Sequence, residues 1–146
     1  MKKNKIIYWT TTGIVSVMML FVAFSYFTNA QTKGGFVHLG FPSYFRIELG
    51  IAKLLGAVAL LLTLTPNRLK EFAYFGFAII FISAFIAHLS SGDPVSVAIS
   101  PLVFLGILVV SYVYFQKGKE LKSKAEVITK TKHTKVLDLE ESHISK

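Results

Sequence analysis

Long apolar stretches separated by short polar segments dominate the first 115 residues of this chain. The first stretch covers residues 6–27, 22 residues without a charged side chain, and an α-helix needs about 20 residues to cross the hydrocarbon core of a bilayer. Three more stretches follow at residues 47–65, 72–91 and 94–115. The pattern predicts an all-α fold in which residues 1–115 form a bundle of four transmembrane helices.

Turn residues mark the limits of these predicted spans. Pro66 ends the second span and Gly92 closes the third, while Asp93 can cap the fourth helix with Pro94 in its first position. Pro101 falls inside the fourth span, where it either kinks the helix or leaves the residues before it as an interfacial segment. A span starting only at Pro101 would be about 22 Å long, so we expect one kinked helix.

The distribution of basic residues predicts the orientation. Three Lys residues precede the first span, two basic residues lie in residues 66–71 and eight in the C-terminal tail, whereas residues 28–46 hold only Lys33 and Arg46. Because cytoplasmic segments carry the excess of Lys and Arg, we expect both termini in the cytoplasm, with residues 28–46 and 92–93 on the outside. Interfacial aromatic residues at the predicted cytoplasmic edges agree with this: Tyr8, Trp9, Tyr74, Tyr112, Tyr114 and Phe115.

Composition favours a membrane protein and excludes several other classes. Hydrophobic residues make up 53% of the chain and the mean hydropathy is +0.56, above the range of soluble domains. The net charge of +8 is concentrated in the flanks, and no nucleic-acid-binding motif accompanies it, so we expect no nucleic-acid partner. The absence of cysteine excludes disulfides, thiolate metal sites and iron–sulfur clusters, and no metal-ligand spacing occurs, so we expect no metal site.

Two segments admit alternative interpretations. The first apolar stretch could be a signal peptide, but it exceeds the usual apolar region of about 7–15 residues and further spans follow it. Residues 116–146 are basic and polar, which predicts a cytoplasmic tail that is disordered beyond its first turns and lies against the membrane surface. The alternative for this tail is a specific protein-binding role.

Ionisable side chains inside the predicted spans are the candidates for chemistry, because each costs about 2.5–3.5 kcal/mol at a helix centre unless it finds a partner or a wet cavity. Glu48 and Lys53 lie among small residues of the second span, which favours positions inside the bundle. Glu48 and His88 lie at similar depth and could touch. Lys53 lies deeper and needs another partner. The candidates are carbonyls freed by Pro101, a bound anionic or quinone-like ligand, or hydroxyls such as those of Ser25, Tyr26 or Ser100.

We therefore predict an outward-facing polar pocket that binds a ligand. Its predicted lining is Tyr26, Glu48, Lys53 and His88, with His38 and Arg46 as further candidates. The alternatives are structural: Glu48 solvated at the interface, His88 satisfied as a buried group, Arg46 anchoring a headgroup and Lys53 reaching outward along its own stem. No catalytic residue is identified.

The segment before the second span is predicted to cover the bundle. Residues 36–45 are rich in aromatic side chains and follow Gly34 and Gly35. We expect these aromatics to lie at headgroup level or to fold over the bundle as a cap, with Gly40 and Pro42 setting a turn.

Several segments resemble the DoxX-like family of four-helix bacterial membrane proteins, over roughly residues 5–115. They are Gly40-Phe41-Pro42, residues 49–56, residues 69–76, Ala84, His88 and Gly92-Asp93. The resemblance implies a multi-pass protein of the bacterial cytoplasmic (inner) membrane.

The same resemblance implies an accessory subunit of a quinone-linked redox complex, since some members of the wider family are subunits of quinone-linked sulfur oxidoreductases. A quinone is then the implied cofactor, and membrane redox subunits or further copies of this chain are the implied partners, beside the lipid bilayer. The alternative is a small proton- or solute-translocating protein that uses the Glu48, Lys53 and His88 site. A quinone-using enzyme acting through the same pocket is the third hypothesis, and a non-catalytic role is favoured over it.

Overall fold

The computed structural model describes residues 2–144, and this part of the chain is all-helical, as predicted. It forms α1 (Lys2–Thr28), α2 (Ala30–His38), α3 (Ser43–Leu61), α4 (Asn67–Ser90) and α5 (Val95–Ile144). Of these, α1, α4 and the apolar part of α5 are long and apolar enough to cross a membrane. Helix α3 has 19 residues but carries Arg46, Glu48 and Lys53, so its composition gives a weaker membrane signal than the other three.

The helix boundaries differ from the predicted spans mainly around α3. This helix begins at Ser43, directly after Pro42, and ends at Leu61, because Leu62 is already extended with φ −71° and ψ 125°. Helix α4 begins directly after Pro66, a residue whose fixed φ and missing N–H suit the start of a helix. The prolines therefore set the starts of both helices, upstream of the apolar residues that defined the predicted spans.

Helix α5 passes through Pro101 without interruption, so the prediction of one continuous helix is confirmed; the kink stays a prediction. Because proline has no N–H, the carbonyl oxygen of Val97 lacks its usual helical partner. The hydroxyl of Ser100 donates to that oxygen at 2.9 Å, which is a common way to satisfy a freed carbonyl inside a membrane. This carbonyl is therefore not the partner of Lys53.

The four long helices close into a ring around one apolar core. Helix α1 packs against α3 and α5, and α4 packs against α3 and α5. The buried members of the core are Val15, Met19, Ala57, Leu60, Tyr74, Phe77, Phe81, Leu108 and Phe115.

The bundle has two ends, which differ in their packing. Tyr8, Tyr74, Tyr112 and Phe115 lie together at one end, with the ring centroids of Tyr8 and Phe115 6.1 Å apart and those of Tyr74 and Phe115 5.6 Å apart. We call this the terminal end, because the start of α1 reaches it. The opposite end, which carries α2 and the residues between α4 and α5, is called the α2 end.

A cluster of buried hydroxyls joins three helices toward the terminal end. Ser111 Oγ lies 2.6 Å from Thr12 Oγ1 and 2.7 Å from the Tyr74 hydroxyl, and Thr12 Oγ1 lies 3.4 Å from the same tyrosine. Tyr74 and Phe115 are both buried. They face the core and not the lipid, which corrects their assignment to an interfacial aromatic belt.

Two glycines of α3 allow aromatic rings to approach its backbone. A Cβ atom at Gly56 would lie 2.8 Å from the ring of Phe77 in α4, and one at Gly50 would lie 2.8 Å from the ring of Phe27 in α1. Phe77 is 2% exposed and held in the core, whereas Phe27 is 37% exposed. The α3–α4 contact is therefore tightly filled, and the contact at Gly50 leaves the ring room to move.

Helix α5 continues through the polar segment as far as Ile144, where the sequence predicts a tail that is disordered beyond its first turns. At its root, Lys119 Nζ lies 2.5 Å from Glu71 Oε1, and Gln116 donates to Glu71 and to the Tyr112 hydroxyl. These contacts connect the beginning of α4 to α5. Side chains of α5 therefore stay partly buried for about one turn beyond the apolar bundle. The side chains described after that turn are exposed.

Candidate ligand-binding site

Lys53 lies on the inner face of α3, as the sequence predicts. It is 5% exposed and shares that buried face with Gly50, Ala57 and Leu60, which follow one another at helical spacing. Ten residues separate it from the start of α3, about 15 Å along the axis. Its backbone is thus deep in the bundle, and its side chain is buried on the inner face of the helix.

The partner of Lys53 is Tyr26, near the end of α1. Lys53 Nζ donates to the Tyr26 hydroxyl at 2.5 Å and lies 4.4 Å from the centre of the same ring, so it also has a cation–π contact. Of the candidate partners that the sequence offers, this hydroxyl is the one used. Ser25, by contrast, donates to the carbonyl of Val22 within its own helix.

Lys53 and Tyr26 line a cavity of about 400 Å³ beneath α2. Its walls come from the end of α1, from α2 and the turn after it, and from the facing sides of α3 and α4; α5 contributes none of the lining. The walls are mainly apolar. Lys53 and His88 are the basic side chains of the lining. The lining includes Phe36, Leu39, Phe41, Phe45, Leu49, Ile80, Ser83, Ala84 and Ala87.

Three of the four predicted site residues therefore come together, and the fourth does not. Tyr26, Lys53 and His88 line the cavity, whereas Glu48 is exposed and lies outside its lining. The prediction that Glu48 faces the bundle is wrong for a geometric reason. Five residues turn an α-helix by about 140° beyond a full turn, so a helix that buries Lys53 presents Glu48 on its outer surface.

His88 pairs with Asp93 and not with Glu48. His88 Nδ1 donates to one carboxylate oxygen of Asp93 at 2.6 Å, and His38 Nε2 donates to the other at 2.9 Å. These two hydrogen bonds, first that of His88 and then that of His38, hold the pKa of the Asp93 carboxyl below its usual value. We call this group the histidine latch, because it connects the ends of α2 and α4 to Asp93 in the turn before α5.

Use of Asp93 in the latch corrects its predicted role as a helix cap. Helix α5 begins at Val95, and the Pro94 carbonyl accepts the N–H groups of Val97 and Ala98. His38, a further candidate for the pocket, reaches the latch and not the cavity.

The aromatic segment folds over the bundle as a cap, in agreement with one of the two predicted arrangements. Its first part is α2, a helix that the sequence analysis missed because it contains Gly34 and Gly35 and is only nine residues long. The signal for it was Asn29, whose side chain accepts the N–H groups of Gln31 and Thr32 as N-cap residues do. The ring of Phe36 then packs edge-on against Tyr26, with centroids 4.8 Å apart.

The predicted turn after this helix is confirmed. Gly40 has φ +77°, a left-handed conformation that glycine adopts without a steric cost. Pro42 follows in extended conformation at φ −70° and precedes α3. The turn brings Phe41 and Phe45 into the cavity wall, where their rings stack with centroids 4.9 Å apart.

Arg46, the remaining candidate, lies on the same side of α3 as Lys53 but outside the cavity lining. Seven residues, or two helical turns, separate the two cations. The Nη1 atom of Arg46 is buried and has no hydrogen-bond partner among the described residues. It is therefore not explained by a surface ion pair.

The arrangement can bind and orient a molecule, and its chemistry follows from the groups present. A buried ammonium and a phenol hydroxyl 2.5 Å apart form one polar anchor at the wall of an apolar cavity, which is the usual composition of a small-molecule site. Within the described residues, no three His, Asp or Glu side chains are placed to hold a metal ion. The anchor supplies hydrogen-bond donors and positive charge.

Comparison with known protein families agrees with this architecture. The model of the DoxX-like family matches residues 10–111, which include most of α1, all of α2 to α4 and most of the apolar part of α5. The chain belongs to the DoxX-like family. Searches of curated proteins and of solved structures found no match.

Membership of the DoxX-like family accounts for the bundle and confirms the resemblance drawn from the sequence. The matched region contains Tyr26, Lys53, His88 and Asp93 and excludes the exposed part of α5. Its helices identify a membrane protein of this family whose activity is unassigned.

Proposed function

We propose that this DoxX-like protein crosses the bacterial cytoplasmic membrane four times, with both termini inside, and that its outward half binds an amphipathic small molecule. Three helices support spanning by their length and hydropathy. Support for α3 as the remaining span comes from its position in the ring and from the burial of Lys53, whose charge faces the cavity and not the lipid.

The observation that carries the binding function is the cavity with the Lys53–Tyr26 anchor in its wall. Its volume of about 400 Å³ lies within the range of about 300–1,000 Å³ that is typical of ligand pockets. Apolar walls suit a hydrocarbon body, and the paired Lys53 and Tyr26 suit an acceptor group at one end of it. The cap formed by α2 separates this anchor from the membrane surface.

A binding role is compatible with service in a quinone-linked redox complex, because a quinone also combines an apolar tail with acceptor oxygens. We propose this accessory role for the DoxX-like chain on the strength of the family. Translocation has less support. The polar groups of the cavity lie at the α2 end, and the core residues Val15, Met19 and Phe77 separate them from the hydroxyl cluster at the terminal end.

Retention of a ligand tests the binding function. The full chain is purified in mild detergent from its native membranes, and the small molecules and proteins that remain bound are identified by mass spectrometry. Ala84→Phe fills the cavity, so it should reduce the retained molecule by about tenfold or more, since a blocked pocket loses its apolar contacts. Ala52→Phe is the matched control, because Ala52 is exposed on α3. Equal retention in both variants would contradict the proposal, and a retained redox subunit would support the accessory role.

Cysteine labelling tests the proposed topology, since the chain has no cysteine of its own. Lys33→Cys places a thiol on the exposed side of α2 and Arg68→Cys places one at the start of α4. A membrane-impermeant maleimide should label Lys33→Cys in intact cells and should label Arg68→Cys only after permeabilisation. Labelling of both sites from the outside would contradict four spans with internal termini.

A further inference from the structure

We infer that the molecule in the cavity is a single-chain amphipath with an anionic head, a long-chain carboxylate, whose head pairs with Lys53. This inference rests on the proposed binding function and names the class of ligand for that site. It is carried by the balance of charge around the cavity, by the second cation on α3 and by the donors that converge at the anchor.

The first step is that Lys53 has no counter-ion within the part of the chain that the structure describes. Its contact with Tyr26 is to a neutral hydroxyl, and the ion pairs in the described part of the chain use His38, His88 and Lys119. A buried charge without an opposite charge is costly, because the charge loses its hydration and the low-dielectric interior offers no interaction of equal strength. An anionic ligand head would supply the missing charge.

The second step is that the nearby carboxylates are unavailable. The cavity lining contains no Asp or Glu. Glu48 is exposed on the other side of α3, and both oxygens of Asp93 already accept hydrogen bonds from the histidine latch. Among the described residues, the carboxylates near this end of the bundle are therefore exposed or already hydrogen-bonded, and none pairs with Lys53.

The third step is that α3 carries a second cation in line with Lys53, the half-buried Arg46. Arg46, Gly50 and Lys53 follow at spacings of four and three residues, which keeps them on one side of the helix. The backbone positions of Arg46 and Lys53 lie about 10.5 Å apart along the axis, and the Nη1 atom of Arg46 is buried and unpartnered among the described residues. Both cations contribute a positive potential to the α2 end, which favours an anion over a neutral molecule.

The last step is the geometry of the donors and the size of the space. Tyr26 accepts from Lys53, so its own O–H is left to donate, and the two groups can bond both oxygens of one carboxylate. A quinone carbonyl would accept a hydrogen bond but would leave the ammonium uncompensated. A cavity of about 400 Å³ is at the lower end of the ligand range, which favours one hydrocarbon chain over the two of a phospholipid.

Binding of a fluorescent polyene carboxylate, compared with its methyl ester, tests this inference. The full chain is placed in phosphatidylcholine nanodiscs, and decyl-benzoquinone and an anionic phospholipid are added as competitors. Wild type should bind the acid about tenfold or more tightly than the ester, as charge-assisted hydrogen bonds predict. The quinone and the phospholipid should displace the acid poorly.

Substitutions at the anchor locate the effect. Lys53→Met should reduce acid binding to the level of the ester, Lys53→Arg should restore most of it, and Tyr26→Phe should weaken it several-fold. Lys70→Met is the matched control, because Lys70 is also buried but lies at the start of α4, away from the cavity, and it should leave binding unchanged. Were Lys53→Met to misfold, the comparison of acid with ester in wild type and in Tyr26→Phe would still decide.

The outcomes separate this inference from the proposed function. Equal binding of acid and ester, or preferred binding of the quinone, with Ala84→Phe blocking each, would overturn the anionic head. Preferred binding of the phospholipid would overturn the single-chain carboxylate. Either result would leave the cavity as a binding site. If Ala84→Phe reduced the binding of none of the probes, both this inference and the proposed binding function would be overturned.

Discussion

At the terminal end of the bundle, the hydroxyls of Thr12, Tyr74 and Ser111 bond one another, whereas at the α2 end the buried ammonium of Lys53 meets one hydroxyl and a cavity. Both ends bury polar groups, but the three hydroxyls satisfy one another, whereas Lys53 has no opposite charge among the described residues. A buried polar network in which every group is hydrogen-bonded stabilises a bundle. A network with an unsatisfied group can gain stability when a ligand supplies the missing partner. The contrast separates the part of this protein that holds the fold from the part that binds.

Packing follows the same division. Toward the terminal end, Phe77 fills the space over Gly56 and is itself held by the core. At the α2 end, the ring over Gly50 is partly exposed and the neighbouring helices leave a cavity between α3 and α4. A close-packed interior tolerates little change in volume, so substitutions should have opposite consequences at the two ends.

The largest effect on stability is expected from Ser111→Ala. This change removes the hydroxyl that bonds both Thr12 and Tyr74, and it should lower the free energy of unfolding by about 1–3 kcal/mol. Reversible unfolding in mixed micelles measures it. Ser16→Ala is the matched control, because Ser16 is equally buried but its Oγ has no partner among the described residues. A loss of stability as large in Ser16→Ala would show that the cluster is not the cause.

A smaller effect is expected from adding one methyl group to α3. Gly56→Ala forces a Cβ against the fixed ring of Phe77, which should cost about 1–3 kcal/mol, partly offset by about 1 kcal/mol of helix propensity. Gly50→Ala meets the partly exposed ring of Phe27, which has space to shift, and should be neutral or slightly stabilising. The same unfolding measurement compares them, and equal destabilisation would contradict the difference in packing between the two ends.

The smallest effect is expected from acidification of the histidine latch. Since its hydrogen bonds lower the pKa of Asp93, the latch contributes stability above the usual pKa of an Asp, about 3.9. That contribution is lost as the pH falls through the lowered pKa. Amide exchange in α2, corrected for intrinsic rates, should accelerate as the pH is taken from about 5 to about 3.

Two variants check that assignment of the acid response. Asp93→Asn should accelerate exchange in α2 already at neutral pH and remove the acid-dependent change. Glu48→Gln, which alters an exposed carboxyl outside the latch, should behave as wild type. An unchanged acid response in Asp93→Asn would mean that another group controls α2.

Much of the site could be predicted from the sequence because an ionisable residue in an apolar stretch is visible without a structure. Lys53, His88 and Tyr26 were found in this way, and helical spacing placed Lys53 on a face of small residues. The same spacing could not say which of two neighbouring faces turns inward, and so Glu48 was assigned wrongly. Asp93 was missed as a partner because its latch joins residues 38, 88 and 93, which are brought together only when α2 folds back.

The sequence by itself determined the helical class, the apolar segments and the family of this protein, because these depend on hydropathy and periodicity along the chain. Tertiary structure decided which polar groups are satisfied, because hydrogen bonds between helices depend on how each helix is rotated in the bundle. It joined Ser111 to Tyr74 and Thr12, and it left Lys53 facing a cavity with Tyr26 as its partner. That rotation turned a charged residue in an apolar stretch into the anchor of a candidate binding site.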